Sequence, residues 1–249
     1  MNETLQNSSP ASAQSGALLA GAALASGLLL SAGQAQAQTQ KPVLTFESSI
    51  NGTGDIKVLN YALALEALET DLYRQALLRL TTGGTNALGK RINGLGLSNS
   101  NRAVRYVRDF TEVEAAHQAF FESALGTAAI TKGSNPLAQA KFDFGLDNNS
   151  TTLDSVLALL QTVEATGVGA YIGAIQFFST TTYLQTAAAI QGTEARHTAV
   201  ITALRNQISN RTDPVAPLFN NNAGIDQKIL PNTVLSAVSG PNGFIVLPA

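Results

Sequence analysis

The sequence predicts an all-α fold: a four-helix bundle with a long crossover between helices two and three and an irregular C-terminal extension. Three observations carry this prediction. Four long segments repeat apolar side chains at helical spacing. A glutamate interrupts each apolar stripe in mid-helix: Glu66, Glu114, Glu164 and Glu194. The connection between the second and third segments, residues 126–150, is too long for a tight turn between antiparallel helices. It is long enough to run back along helices of about 25 residues, which span ~37 Å.

Composition narrows the function classes. The chain has 249 residues and a net charge of -2, with 45 % hydrophobic residues. Charged residues make up only 13 %, about half the usual share. No basic surface is available to neutralise a nucleic-acid backbone, so no nucleic-acid partner is expected. Cysteine is absent, which excludes a disulfide framework, a thiolate metal site and a cysteine nucleophile.

Residues 1–37 read as a secretory signal peptide rather than as part of the fold. Gly16 to Ser31 is an uncharged run rich in Ala, Leu and Gly, and Ala35-Gln36-Ala37 is a small-x-small cleavage site. The run is too short for a confident membrane span, which takes ~20 apolar residues. The first fifteen residues lack Lys and Arg, a departure from the signal pattern, so an uncleaved anchor or a different start codon is the alternative. The expected location is outside the cytoplasm, periplasmic or extracellular, with no stable membrane span in the mature chain. Residues 38–54 read as an extended leader, with Pro42 and a turn at Asn51-Gly52-Thr53-Gly54.

Residues 55–212 hold the bundle. Asp55 reads as the N-cap of a first helix ending near Leu80, with Leu59, Ala62, Glu66, Tyr73 and Leu77 on one face. A Gly/Asn-rich loop follows, from Thr81 to Asn101. The second helix runs from about Arg102 to Leu125, with Phe110, Glu114, His117 and Phe121 inward, Glu112 outward and Gly126 as its cap. The third starts near Thr151 or Thr152 and runs to about Ser179, with Leu157, Leu160, Glu164, Tyr171 and Ile175 inward. In it, Gly167 and Gly169 allow close backbone approach. The fourth runs from about Thr181 to Asn210, with Ala187, Ile190, Glu194, His197 and Ile201 inward, and Asp213-Pro214 ends it. Residues 213–249 form the extension. Its apolar groups, Ile229-Leu230, Val234-Leu235 and Phe244-Ile245-Val246, are suited to wrapping the bundle.

The chain has two histidines, His117 and His197, and each lies three residues after a glutamate. Residues i and i+3 share a helix face, so each of two helices projects a carboxylate and an imidazole together. Glu66 and Glu164 add one inward carboxylate from each of the other two helices. A carboxylate in an apolar stripe must be paired, protonated or bound to a metal. The repeat extends further: Glu66 and Glu164 are each followed seven residues later by a tyrosine, Tyr73 and Tyr171. Glu69, at the edge of the inner face, reads as a residue behind the ligands or at the surface rather than as a seventh ligand. The alternative for the whole set is a metal-free buried polar network.

The pattern Glu66, Glu114-x-x-His117, Glu164, Glu194-x-x-His197 resembles the ligand set of ferritin-like dimetal carboxylate proteins. The stretch from Val58 to Glu69 is similar to the ferritin-like family that includes desiccation-related proteins. The resemblance covers about residues 55–210. It implies a ferritin-like bundle holding two Fe or Mn ions, with Glu114 and Glu194 bridging and Glu66 and Glu164 each capping one ion. Oxygen and nitrogen donors without thiolate suit iron or manganese. Tyr73 and Tyr171 would hydrogen-bond the ligands or quench radicals, or else be core tyrosines with their hydroxyls at the bundle edge. The implied function is handling of iron or reactive oxygen, as a ferroxidase, peroxidase or catalase-like protein. Its partners would be small oxidants, O2 or H2O2, and a homo-oligomer is compatible with it. The rival reading is a stress or desiccation-related structural bundle, stabilised by metal without turnover. N-terminal mass spectrometry of the exported protein is expected to find Gln38 as the first residue; a cytoplasmic species beginning at Met1 would refute the export reading.

Overall fold

Gly54–Leu80 forms the first long helix, α1. Three more follow: α2 (Arg102–Leu125), α3 (Leu153–Ala174) and α4 (Thr181–Ser209). The computed structural model describes residues 41–135, 137–215 and 224–247, so the expected signal segment lies outside the described residues. Asn101 caps α2 by accepting hydrogen bonds from the backbone N–H groups of Ala103 and Val104. Thr152 caps α3 in a reciprocal box with Ser155. Gly126 (φ 56°) ends α2 and Asn210 (φ 49°) ends α4.

Asp55 is not the N-cap of α1. Thr53 takes that position, and Asp55 accepts hydrogen bonds from the backbone of Ser179 (2.7 Å) and Thr180 (3.0 Å). It therefore fixes the start of α4 from the first turn of α1. The end of α3 also differs from expectation. After Ala174 the chain tightens into a 3-10 turn, Ile175–Phe177, which rotates Ile175 outward, where it is 37 % exposed.

The four helices are not equivalent. Eighteen of 27 residues in α1 and 16 of 22 in α3 are buried, against 6 of 24 in α2 and 8 of 29 in α4. The inner pair is covered by the connections and the extension, and this explains why α3 is so apolar. Among the described residues, Leu153–Phe177 is long and apolar enough to cross a membrane, yet 78 % of its most apolar window is buried within the protein.

The connections carry structure that helical periodicity does not reveal. The Gly/Asn-rich loop contains a hairpin, β1 (Gly83–Thr85) against β2 (Arg91–Asn93), antiparallel with Gly84 opposite Ile92. The crossover contains β3 (Lys141–Phe142), which pairs with β4 (Ile245–Val246) from the extension. The extension also holds a short helix, α5 (Pro231–Val238), burying Val234 and Leu235. Of the other apolar groups expected to wrap the bundle, Ile245 is buried and Ile229 and Phe244 pack against the core, while Leu230 stays 48 % exposed. The expected extended leader includes a helical turn, Phe46–Ser49, capped by Thr45. The leader is tied to the extension: Gly240 donates to the Pro42 carbonyl (2.6 Å), and Asn232 accepts from the Phe46 N–H (2.7 Å).

Two buried polar side chains staple these connections to α1. Asn60 donates to the carbonyls of Asn51 and Ala128 and accepts from the Ile130 N–H. Arg79, 3 % exposed, donates to the carbonyls of Asn93, Asn149 and Thr151, joining the hairpin to the entry of α3. Both side chains place their donors on backbone carbonyls of the connections, so that each buried polar group is satisfied.

Glycines on α3 admit the extension at close range. Ile229 donates its N–H to the Gly169 carbonyl (2.9 Å). A Cβ on Gly169 would lie 2.6 Å from the Ile229 side chain, and one on Gly173 only 1.9 Å from the Ile229 carbonyl oxygen. Gly192 on α4, by contrast, has only the Arg196 guanidinium within reach, at 3.7 Å. Gly192→Ala should therefore raise stability by up to about 1 kcal/mol through helix propensity. Gly173→Ala should lower the melting temperature and expose residues 224–247 to protease. Thermal melts and limited proteolysis of the two variants check this; equal behaviour would contradict the docking of the extension on α3.

Candidate metal centre

Each of the four bundle helices delivers one glutamate to the same point. Glu66, Glu114, Glu164 and Glu194 are all fully buried, with 0 % exposure. The i, i+3 spacing on α2 and α4 brings His117 and His197 in beside them. His117 Nδ1 lies 3.2 Å from Glu114, 3.3 Å from Glu194 and 3.4 Å from Glu66. His197 Nδ1 lies 2.8 Å from Glu114, 3.2 Å from Glu164 and 4.0 Å from Glu194.

These contacts divide into two overlapping groups. One is Glu66, Glu114, His117 and Glu194; the other is Glu114, Glu164, Glu194 and His197. Within each group the donor atoms lie within 4.8 Å of one another. Glu114 and Glu194 belong to both groups, while Glu66 and Glu164 belong to one each. All six residues singled out in the sequence come together. Glu112 is exposed, as the helical phase required.

The tyrosines cross between the halves. Tyr73 on α1 donates its hydroxyl to Glu164 on α3, and Tyr171 on α3 donates to Glu66 on α1. Both rings are buried, so the alternative of core tyrosines with hydroxyls at the bundle edge does not hold. Neither tyrosine bonds the glutamate seven residues before it; the antiparallel crossing of α1 and α3 exchanges the partners. Phe110 stacks on the His197 ring, with centroids 3.9 Å apart, and fixes its plane.

Glu69 departs from the surface arm of its sequence reading. It is 2 % exposed, because α1 is buried on nearly all sides. Helical phase alone put it at a face edge and could not show what would cover that edge.

The donor set fits bound metal cations. Glu66 Oε2, Glu114 Oε1, Glu164 Oε2, both Glu194 oxygens and His197 Nδ1 are buried without a hydrogen-bond partner. So many unpartnered acceptors are costly, and divalent ions would satisfy them together. The donors are all oxygen or nitrogen, the set preferred by iron, manganese and zinc over soft ions.

The metal-free site resists full ionisation. Burial pushes the Glu66 carboxyl up to about 8, opposed by the close approach of His117 and reinforced by Glu194 and Glu114. Burial likewise holds Glu164 and Glu194 well above the usual carboxylate range. Glu114 is also raised by burial, but its contacts with His117 and His197 outweigh this and leave it lowered. Burial works against a charged His117, yet its contacts with Glu114, Glu194 and Glu66 raise it up to about 12.

The sign of the pH effect follows. Glu66 and His117 hold protons more tightly in the folded chain. Their contribution to stability is fully present below their ordinary values of 4.5 and 6.5 and is lost as pH rises through about 8 and about 12 respectively. Glu114 acts oppositely, its contribution being lost only as pH falls below 4.5. Metal binding displaces protons, so the gain from metal grows with pH. Calorimetry should show the chelated protein melting at lower temperature as pH rises from about 5 to about 9, while the gap to the metal-loaded protein widens. A gap that narrows with rising pH would contradict ligation by these residues.

A family model described as "Ferritin-like domain" matches residues 54–207. No curated protein and no solved structure matches the chain. The matched residues span α1 to α4 and contain all six residues of the two groups. By this match, and with a buried carboxylate and histidine cluster able to hold metal at its centre, the chain belongs to the ferritin-like domain family.

Proposed function

We propose that the protein is an exported dimetal protein that handles iron or reactive oxygen, with two iron or manganese ions held by Glu66, Glu114, His117, Glu164, Glu194 and His197. One observation carries this reading: two four-residue groups share Glu114 and Glu194, the arrangement expected for bridging carboxylates between paired ions. When bound, such ions would supply redox chemistry toward dioxygen or hydrogen peroxide.

The chain's own residues set the conditions for that chemistry. Tyr73 and Tyr171 hold one oxygen each of Glu164 and Glu66, leaving the other oxygen of each for an ion. Phe110 and the buried Phe121, Leu160 and Ile190 make the surroundings apolar. Among the described residues, no Lys or Arg joins the cluster to hold an anionic organic substrate, which favours small neutral oxidants. The His117 side chain is 14 % exposed against 4 % for His197, so the His117 side is the one open to solvent. The full enclosure of the four glutamates favours a second reading, in which metal stabilises a stress-related bundle without turnover.

Metal analysis and peroxide consumption separate the readings. Wild type should carry two ions per chain. Glu164→Ala should lose most of one, and Glu112→Ala none, because Glu112 faces solvent. Metal-loaded wild type should consume hydrogen peroxide, and His117→Ala should lose metal and turnover together. Two ions without turnover would favour the structural reading. Full metal content and turnover in His117→Ala would overturn the dimetal assignment.

A further inference from the structure

The two halves of the bundle repeat the same spacing, and they differ at one central position. On α1, Glu69 follows Glu66 by three residues and precedes Tyr73 by four. On α3, Gly167 stands in the same relation to Glu164 and Tyr171. Since Tyr73 bonds Glu164 and Tyr171 bonds Glu66, the middles of the two segments face each other. Glu69 and Gly167 meet there: a Cβ on Gly167 would lie 3.0 Å from Glu69 Oε1, and 3.7 Å and 3.9 Å from Glu194 Cγ and Oε2. A side chain from α3 is missing at the midline, and the Glu69 carboxyl uses the space.

We propose that Glu69 is a seventh carboxylate ligand of the metal centre, reaching the ion pair from the α1–α3 side. The proposal rests on the dimetal reading and reverses the sequence-based preference for a residue behind the ligands. Glu69 is 2 % exposed, and its Oε2 has no hydrogen-bond partner. Besides its burial, the groups that bear on it electrostatically are the carboxyls of Glu194, Glu66, Glu164 and Glu114, the four proposed ligand carboxyls themselves. A buried carboxyl in that company is costly, and the ions of the proposed centre would relieve it. Octahedral oxygen-rich coordination, as manganese prefers, calls for more donors than a four-residue group provides when each residue gives one atom. Glycine at position 167 is what admits this ligand, since a second glutamate in the equivalent position would occupy the same volume.

Titration of the full chain with Mn(II), followed by calorimetry and by the electron paramagnetic resonance of the bound ion, tests the assignment. Glu69→Gln keeps the shape and removes the ligand charge. It should retain helical circular dichroism, weaken Mn(II) binding by about tenfold or more and change the bound-ion spectrum. Glu112→Gln should match wild type. Gly167→Ala keeps the acid but crowds it, and should reproduce part of the loss. If Glu164→Gln weakens binding while Glu69→Gln binds two ions with wild-type affinity and spectrum, Glu69 is not a ligand although the centre stands. If wild type binds no Mn(II), both readings fall. Should Glu69→Gln not fold, Gly167→Ala decides: unchanged affinity and spectrum overturn the proposal.

Discussion

Like charges confined in an apolar interior are the constraint on which the rest of this structure depends. Four glutamates from four helices, with a fifth beside them, sit where water cannot reach. Each carries a desolvation cost, and each raises the cost for the others. Only a rigid frame can keep such groups from turning outward to solvent. The frame is built by burying α1 and α3 on most sides, so that the side chains they carry have no outward rotamer available. The two tyrosines act in the same direction: each neutral hydroxyl ties down one carboxylate oxygen without adding charge.

Much of this was legible in the sequence because helical phase is local. The inward faces of α2 and α4 follow from a 3.6-residue period, and each Glu-x-x-His pair follows from its spacing alone. The pairing of halves was visible in the Glu-to-Tyr spacing, although the exchange of partners between α1 and α3 was not, since it depends on their antiparallel crossing. What could not be read were long-range choices made by short segments. β3 pairs with β4 across about a hundred residues, and two-residue strands leave no periodic signal. Gly167 and Gly169 announced close approach, but nothing local identified Ile229 as the group that approaches Gly169 or pointed to Gly173 beside it. Glu69 belongs to this class too. Whether a face edge is buried is decided by what the remainder of the chain lays over it.

The same division explains the inequality of the helices. A symmetric bundle of two hairpins would leave all four helices amphipathic. Here the hairpin β1–β2, the crossover and the extension all cover α1 or α3, and α2 and α4 keep open outer faces. The histidines ride on the open pair together with Glu114 and Glu194, and Glu66, Glu164 and the tyrosines ride on the covered pair. The more exposed histidine, His117, therefore lies on the side nearer solvent, while Glu66 and Glu164 stay on the enclosed side.

The polar staples stand apart from the charged centre. Arg79 lies thirteen residues beyond Glu66, ~20 Å along the α1 axis, and Asn60 lies ~9 Å before it. Asp55, still farther, fixes the start of α4 from the opposite end of α1 to Arg79. None of these contacts uses a residue of the carboxylate and histidine cluster. The bundle is thus closed by backbone carbonyls, caps and apolar packing before any ion is considered. In small domains that lack such a core, metal binding supplies the folding free energy itself. Here the scaffold holds the acceptors in place at its own cost, and the binding free energy of an ion is free to relieve the repulsion among them. A site held in this way is preorganised, because repulsion that cannot be relaxed by moving a helix can be relaxed only by protons or by cations.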